Sequence, residues 1–138
     1  MRPHEPRLAV LACADARLDP ARALGAEEGE LFAVRNAGNV LCEHALESLT
    51  FAAEIGAGTI VVLGHTDCGA IKDALSSAPA LPATARLIRP HIEGLKDPTE
   101  AARSHAKKTA EALRAALGGK AEVKAALFHT ERGEVEWI

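Results

Sequence analysis

The chain has 138 residues, of which 48% are hydrophobic and 25% charged, and its formal net charge is -3. This balance is typical of a globular protein, and without a run of like charge it gives no basis for binding nucleic acid or an anionic membrane. No apolar run is long enough to span a membrane, and the N-terminal sequence MRPHEPR lacks the apolar core of a signal peptide. The sequence therefore predicts a cytoplasmic protein with a single domain, residues 1–138.

Aromatic residues make up only 3% of the chain, so Ala, Leu, Val and Ile must form most of the core. Small cores of this kind gain burial by association, and we expect a homodimer or a higher homo-oligomer. The chain has three cysteines. In a reducing compartment they are metal ligands, catalytic groups or buried thiols more often than disulfides.

The N-terminal half predicts three strands and one helix. RLAVLAC (7–13) and LFAVRN (31–36) are short apolar runs typical of buried strands. Residues 40–58 repeat apolar side chains every three or four positions and end at glycines, as an amphipathic helix does. TIVVLGH (59–65) is rich in β-branched residues and predicts the third strand. The apolar face of the helix would consist of Cys42, Leu46, Leu49 and Ala53.

The C-terminal half predicts one long helix and two further strands. Residues 76–97 contain three prolines and predict a loop with one short helix. Residues 97–119 begin with Asp97 as a helix N-cap and end at paired glycines, so they predict a complete helix. EVKAALFHT (122–130) predicts the fourth strand, and EVEWI (134–138) predicts a fifth at an edge. The buried stripe of the long helix would be Ala102, Ala106, Ala110, Leu113 and Leu117.

Buried strands that alternate with helices predict the α/β class. The connections between such strands are crossovers, which give a mostly parallel central sheet flanked by helices, here with four to five strands. In an open sheet of this kind, ligands bind at the carboxyl ends of the strands. The functional site is therefore expected there.

Two thiols and an imidazole follow the first and third strands at that edge. Cys13 ends the first strand, His65 ends the third, and Cys68 lies three positions after His65. Thiolate and imidazole are ligands that suit zinc. Three protein ligands leave the fourth tetrahedral position open, which is typical of a catalytic zinc rather than a structural one. The sequence therefore predicts one catalytic Zn²⁺ per chain.

An acid and a base follow Cys13 at alternate positions. Asp15 is placed to orient a water molecule in the zinc site, and Arg17 to hold the Asp15 carboxylate by a bidentate ion pair. If that pair broke, Asp15 could itself become the fourth ligand and close the site. The simpler interpretation is a local ion pair at a helix entrance.

Other polar residues near these motifs have structural interpretations. Asp67 is expected to cap the helix that begins near Gly69, and Cys42 to lie in the core. Asn36, Gly38 and Asn39 predict a tight turn after the second strand. Five further histidines are expected at the surface, and any one of them is a candidate proton shuttle. They are His4, His44, His91, His105 and His129.

Three motifs resemble, in order and spacing, the signatures of β-class carbonic anhydrases. They are Cys13-Ala-Asp15-Ala-Arg17, Arg35-Asn36-Ala37-Gly38-Asn39 and Gly64-His65-Thr66-Asp67-Cys68-Gly69. The likeness extends over residues 7–75 and resumes in VKAALFHTERGEVEWI at the C-terminus. The chain departs from the family in the compact 76–100 region and in its few aromatic residues.

The resemblance implies zinc bound by Cys13, His65 and Cys68, with Asp15 and Arg17 as the accessory pair. It implies reversible hydration of CO₂ to bicarbonate by a zinc-bound hydroxide, in a subunit that dimerises. Two alternatives remain at this point. One is hydrolysis of COS or CS₂ on the same fold with the same ligands, and the other is a zinc-binding protein without catalytic turnover.

Overall fold

The structure is a computed structural model that describes residues 4–138. Residues 1–3, on which part of the signal-peptide prediction rests, lie outside the described residues. Residues 4–138 form five strands and five α-helices, together with a one-turn 3-10 helix. In chain order they are β1 (Leu8–Cys13), α1 (Pro20–Leu24), β2 (Leu31–Asn36), α2 (Glu43–Glu54), β3 (Thr59–His65), α3 (Gly69–Leu75), α4 (Pro82–Ile88), the 3-10 helix (Arg89–His91), α5 (Pro98–Leu117), β4 (Glu122–His129) and β5 (Glu134–Trp137).

The strands form one open sheet in the order β2-β1-β3-β4-β5. The first four are parallel, and β5 lies at the edge, as the sequence predicts. The sequence prediction gave no direction for β5, which pairs antiparallel with β4. β1 and β3 lie side by side inside the sheet and are buried almost throughout, which explains why their sequences are continuously apolar. Their carboxyl ends therefore meet at the same edge, and Cys13 and His65 are the last residues of these two strands.

The long helix α5 has the predicted bounds and the predicted buried stripe. The Asp97 carboxylate accepts a hydrogen bond from the Glu100 amide at 2.9 Å, and Gly118 ends the helix in a left-handed conformation. A Cβ atom at Gly64 would lie 3.3 Å from Cβ of Ala106, so the two small residues bring α5 close to β3. No helix among residues 4–138 is both long enough and apolar enough to cross a membrane.

Helix α2 is shorter than predicted, and its most buried face is rotated by about one position from the predicted one. Ala45, Leu49 and Ala52 are buried, whereas Leu46 and Ala53 are half-buried. Both half-buried residues still pack against the core that lies under α2 and α5. The periodicity indicates the helix correctly but does not locate its centre.

Three details of the connections differ from the sequence predictions. Helix α1 was not predicted; it is a single short segment, capped by the Asp19 carboxylate, which accepts from the amides of Ala21 and Arg22. Region 76–97 holds α4, as predicted, and also the 3-10 helix. The N-cap residue of α3 is Cys68, and α3 has no side-chain cap, so the prediction that Asp67 caps this helix is wrong.

Candidate metal centre

The three sequence-predicted metal ligands lie together at the carboxyl edge of the sheet. One ligand atom from each of Cys13, His65 and Cys68 lies within 4.8 Å of the other two. All three residues are buried. Within residues 4–138, no fourth Cys, His, Asp or Glu joins this group. Cys13 and His65 come from neighbouring parallel strands, and Cys68 comes from the turn that leads into α3.

The imidazole of His65 is oriented by the backbone. Its Nδ1 lies 2.8 Å from the carbonyl oxygen of Thr66, so Nδ1–H is the donor, and Nε2 carries the lone pair. Nε2 is buried and has no hydrogen-bond partner among the described residues. Burial alone would lower the pKa of His65, but the neighbouring Cys13 sulfur and the hydrogen bond to the Thr66 carbonyl raise it. A buried lone pair without a partner, next to two thiols, is what a metal ligand requires.

The two thiols strongly affect each other's protonation. A hydrogen bond from the Cys68 side chain lowers the pKa of Cys13, with smaller contributions from His65 and from the backbone amides of Gly38 and Asp15. The Cys13 thiolate in turn raises the pKa of Cys68, and burial raises it further. Since a zinc ion binds the deprotonated forms of both thiols, it would replace the proton that the pair shares. The donor set of two sulfurs and one imidazole nitrogen therefore fits zinc.

Asp15 and Arg17 form a bidentate ion pair beside the three ligands. Arg17 donates from Nε to Oδ1 of Asp15 at 3.0 Å and from Nη2 to Oδ2 at 2.7 Å, and its backbone amide donates to Oδ1 at 2.8 Å. Oδ2 of Asp15 lies 3.8 Å from Nε2 of His65. Arg17 lowers the pKa of Asp15, so this carboxylate stays ionised and can only accept hydrogen bonds.

Asp67 contributes to this arrangement in a way that the sequence did not indicate. Its backbone has a positive φ of 55°, and Arg17 donates to both its Oδ2 and its carbonyl oxygen, each at 2.9 Å. Lys72 also pairs with the Asp67 carboxylate. Arg17 is therefore held between two aspartates, one of them two positions away along the chain and the other 50 positions away.

Arg35 fixes the loop that carries Cys13 and Asp15. Its guanidinium donates to the carbonyl oxygens of Cys13, Asp15 and Leu18, at distances from 2.8 to 3.1 Å. The only sequence signal for this role is a charged residue inside the apolar run LFAVRN. Three carbonyl groups bound by one side chain hold the backbone of the loop in place.

The predicted turn after β2 lies against the metal centre. Asn36 closes it, because its side chain accepts from the Val40 amide at 2.8 Å and donates to the Val40 carbonyl at 2.9 Å. Gly38 and Asn39 both have positive φ. The amide of Gly38 lies 3.3 Å from Sγ of Cys13. Cys42 is half-buried at the N-cap of α2 and packs against the core.

The prediction that the five remaining histidines lie at the surface is only partly correct. His4 and His44 are exposed, and His91 is half-buried. His105 and His129 are buried, which corrects the prediction for both.

His129 faces Glu136, with 2.9 Å between its Nε2 and the Oε1 of the carboxylate. His105 contacts His91 and the turn at Gly38. The sequence shows neither contact, because the partners of His105 are 14 and 67 positions away.

Comparisons with known proteins agree with the family resemblance. A sequence model of the family described as carbonic anhydrase matches residues 8–135. The chain is 44% identical to β-carbonic anhydrase 1 of Mycobacterium tuberculosis over 68 residues, which cover 49% of this chain and 42% of that protein. It is 35% identical to carbon disulfide hydrolase of Saccharolobus solfataricus over 71 residues, which cover 51% of this chain and 35% of that protein.

The fold is similar to that of a solved structure. The β-carbonic anhydrase CafA of Aspergillus fumigatus superposes with a TM-score of 0.85 at 21% identity, over 97% of this chain and 76% of that one. The curated relatives are longer proteins: the match spans 42% of the M. tuberculosis protein.

Proposed function

Since the family match covers residues 8–135, the chain belongs to the β-class carbonic anhydrase family, and from this premise we propose that it catalyses the zinc-dependent, reversible hydration of CO₂ to bicarbonate and a proton. The observation that carries this proposal is the convergence of Cys13, His65 and Cys68 next to the ion pair of Asp15 and Arg17. A structural zinc site would need a fourth protein ligand, and none joins the group among the described residues.

In this proposal, the Sγ atoms of Cys13 and Cys68 and Nε2 of His65 would hold the zinc ion. A zinc ion bound in this way supplies Lewis acidity, which lowers the pKa of water so that a nucleophile exists near neutral pH. The protein contributes the orientation of the three ligands. The Thr66 carbonyl fixes the His65 ring, and the hydrogen bonds from the Arg35 guanidinium fix the loop that carries Cys13.

The proposed role of Asp15 is to accept a hydrogen bond from the reacting water and so orient it. The carboxylate suits this role because Arg17 lowers its pKa, so it remains an acceptor over the range in which the enzyme would work. Arg17 uses two nitrogens for Asp15 and also bonds Asp67, and it thereby restricts the direction in which the Asp15 carboxylate points. Asp15 and Arg17 are thus the proposed catalytic pair.

Hydrolysis of COS or CS₂ is the second candidate. The similarity to carbon disulfide hydrolase of S. solfataricus supports it. Both reactions begin with attack of an activated water on a linear molecule with an electrophilic carbon. The same ligands and the same Asp15 therefore serve either substrate, and the choice between them requires an assay.

We further propose a homodimer or a larger homo-oligomer in the cytoplasm. One of the solved structures that resemble this fold is described as a tetrameric β-carbonic anhydrase, from Sordaria macrospora. The three cysteines of the chain are free, and thiolate ligands require reducing conditions.

The decisive experiment is stopped-flow CO₂ hydration by zinc-loaded protein, from about pH 7 to 9, with a matched pair of cysteine variants. Cys13→Ser should lose zinc and activity together, because a hydroxyl is a poor zinc ligand. Cys42→Ser changes a half-buried cysteine outside the ligand group and should keep both. Full zinc content in Cys13→Ser would contradict the ligand assignment. A zinc-loaded wild-type protein without CO₂ hydration, but with release of sulfide from COS or CS₂, would favour the second candidate.

A further inference from the structure

His105 is a buried histidine that has no role in the function proposed above. It lies in α5 and is 1% exposed. Its Nε2 is 2.8 Å from the carbonyl oxygen of Gly38. The amide nitrogen of the same glycine is 3.3 Å from Sγ of Cys13. One residue, Gly38, therefore connects a buried imidazole to a metal-ligating sulfur.

The hydrogen bonds define the protonation of both histidines. A carbonyl only accepts, so Nε2 of His105 must carry a proton and donate it to Gly38. Burial lowers the pKa of His105 to about 4, which keeps the ring neutral and leaves Nδ1 as an acceptor. Nδ1 of His91 lies 2.9 Å away and is therefore the donor. The half-buried His91 thus fixes the orientation of the His105 ring.

Gly38 itself cannot be replaced easily. Its φ is 85°, a conformation that favours glycine, and a Cβ atom there would lie 3.0 Å from both Cβ of Ala70 and Cδ1 of Ile88. The N–H that points to Cys13 and the C=O that points to His105 belong to adjacent peptide units. His105 can therefore affect Cys13 through the orientation of the Gly38 backbone, and not through polarisation of a single amide group.

We propose that His105 is a positioning residue for the Cys13 thiolate, which anchors the Gly38 carbonyl and so holds the Gly38 N–H on the sulfur. An N–H hydrogen bond to a thiolate draws electron density from the sulfur, and it thereby adjusts how strongly that sulfur donates to a metal. Glycine has the most mobile backbone of any residue, so an anchor on its carbonyl is needed to keep its N–H in one direction. The inference rests on the metal centre of the proposed function.

The test uses two variants of His105, of which one can still donate a hydrogen bond to the Gly38 carbonyl and the other cannot. In His105→Gln, the side-chain amide has a donor at a position similar to that of Nε2, whereas His105→Leu has no donor. Co²⁺ replaces Zn²⁺ in the full-length protein, and the sulfur-to-cobalt charge-transfer band reports the electron density on the thiolates. Zinc affinity is measured separately, by competition with a chelator. Neither measurement depends on CO₂ hydration.

With His105→Leu, we expect the charge-transfer band to move to lower energy, because the sulfur keeps more electron density. Zinc should bind about tenfold more weakly, because a thiolate without this hydrogen bond holds a competing proton more strongly. His105→Gln should restore most of both. Leu113→Ala is the matched control, because it is fully buried in the same helix but packs in the core cluster under α2. It should lower stability and leave the band unchanged. A merely structural role for His105 would give the control and His105→Leu the same unshifted band, and this result would overturn the proposal.

If His105→Leu does not fold, His91→Ala replaces it in the test. This variant removes the nearer donor to Nδ1 of His105 and leaves the Thr109 hydroxyl, 3.4 Å from the same nitrogen. It should therefore shift the band in the same direction by a smaller amount. An unshifted band in His91→Ala would then overturn the proposal. A wild-type protein that binds neither Co²⁺ nor Zn²⁺ would overturn both the metal centre and this inference. A wild-type protein that binds them but does not hydrate CO₂ would overturn the proposed function alone.

Discussion

Arg17 is the residue through which two separate loops meet beside the ligand group. It contacts Asp15 two positions away and Asp67 fifty positions away. The side chain of Arg17 is 48% exposed, so the strength of these ion pairs matters less than the direction that they impose on the Asp15 carboxylate. Oδ2 of that carboxylate is 3.8 Å from Nε2 of His65, so a small rotation would bring it onto a metal ion held as proposed.

The first prediction concerns this restraint. Arg17→Ala should keep zinc but lose about 10- to 100-fold in the rate of CO₂ hydration, because Asp15 becomes free to bind the metal. Asp67→Asn should cause a smaller loss. It weakens the ion pair of Arg17 with the Asp67 side chain and leaves the ion pair with Asp15 intact. Zinc content and stopped-flow rates check both variants. Arg22→Ala, an exposed arginine in α1, is the control and should behave as wild type. Normal turnover in Arg17→Ala would refute the role given to the pair.

His105 also gives a second prediction, on stability against pH. Its pKa is lowered from 6.5 to about 4 by burial, with a further contribution from the charge of His91, while the Cys13 thiolate opposes the shift. Between these pH values the unfolded chain binds more protons than the folded one, so stability is full above pH 6.5 and falls as the pH drops towards 4. The loss should approach about 3 kcal/mol, at 1.36 kcal/mol for each pKa unit.

Urea unfolding of wild type and His105→Gln, both with a chelator so that metal release does not contribute, measures this effect. The stability difference between the two proteins should decrease as the pH falls from 6.5 to 4, because glutamine does not titrate. His44→Gln, at an exposed position, should follow wild type over the whole range. A constant difference between wild type and His105→Gln would show that the ring is not held neutral by the fold.

At the residue scale, the sequence indicates the groups that follow strands and misses those that reach the site across the fold. Cys13, His65 and Cys68 could be predicted to meet, because parallel neighbouring strands end at one edge. The contacts of Asp67 and His105 could not be predicted. They depend on how loops and a distant helix pack, and no local spacing encodes that packing.

Among the elements, α5 determines how closely the helical layer approaches the sheet. Its buried face contains Ala102, Ala106 and Ala110, which are almost completely inaccessible. Gly64 faces this stripe from β3, and a Cβ atom at Gly64 would be 3.3 Å from both Ala106 Cβ and the Ala102 carbonyl oxygen. The same helix carries His105 to the turn at Gly38. The small residues therefore set the distance between α5 and the sheet, and the position of His105 beside Gly38 depends on that distance.

The third prediction concerns this packing. Ala106→Leu should destabilise the fold by about 1–3 kcal/mol, because the larger side chain cannot be accommodated between α5 and β3 without moving the helix. Ala112→Leu places the same substitution at an exposed position of α5 and should change stability little. The free energy of unfolding in urea distinguishes the two. Equal free energies of unfolding for the two variants would contradict this prediction, because they would mean that α5 can move away from the sheet without loss of stability.

At the scale of elements, prediction succeeds where a pattern is long or repeated. The four parallel strands, the presence of a fifth strand at the edge and α5 all match, because continuous apolar runs, terminal glycines and an N-cap aspartate are local signals. Helix α1 has five residues, too few to show a helical period. The sequence pattern misplaces the centre of the buried face of α2 by about one position. The reason is that the half-buried residues Leu46 and Ala53 are also apolar.

For the whole molecule, the two edges of the sheet differ in a way that favours one of them for association. β2 ends the sheet on one side, and its Phe32 lies 6.1 Å, between ring centroids, from Phe51 of α2, which is 50% exposed. An open parallel strand next to an exposed aromatic side chain is a surface that proteins usually cover. On the other side, β5 has only four residues against six in β2, and its Trp137, which is 57% exposed, lies under the amino group of Lys124.

The last prediction is that a second copy of the chain covers the β2 edge. Light scattering should then give a mass of at least two chains, and Phe51→Lys should shift it towards one chain, because a charged side chain would be buried without a partner in the interface. Trp137→Lys is the matched control, since it makes the same kind of change at the opposite edge. Zinc content of both variants shows whether the metal centre survives. Dissociation in Trp137→Lys but not in Phe51→Lys would place the interface at β5 instead, and a monomeric wild-type protein would contradict the proposed homo-oligomer.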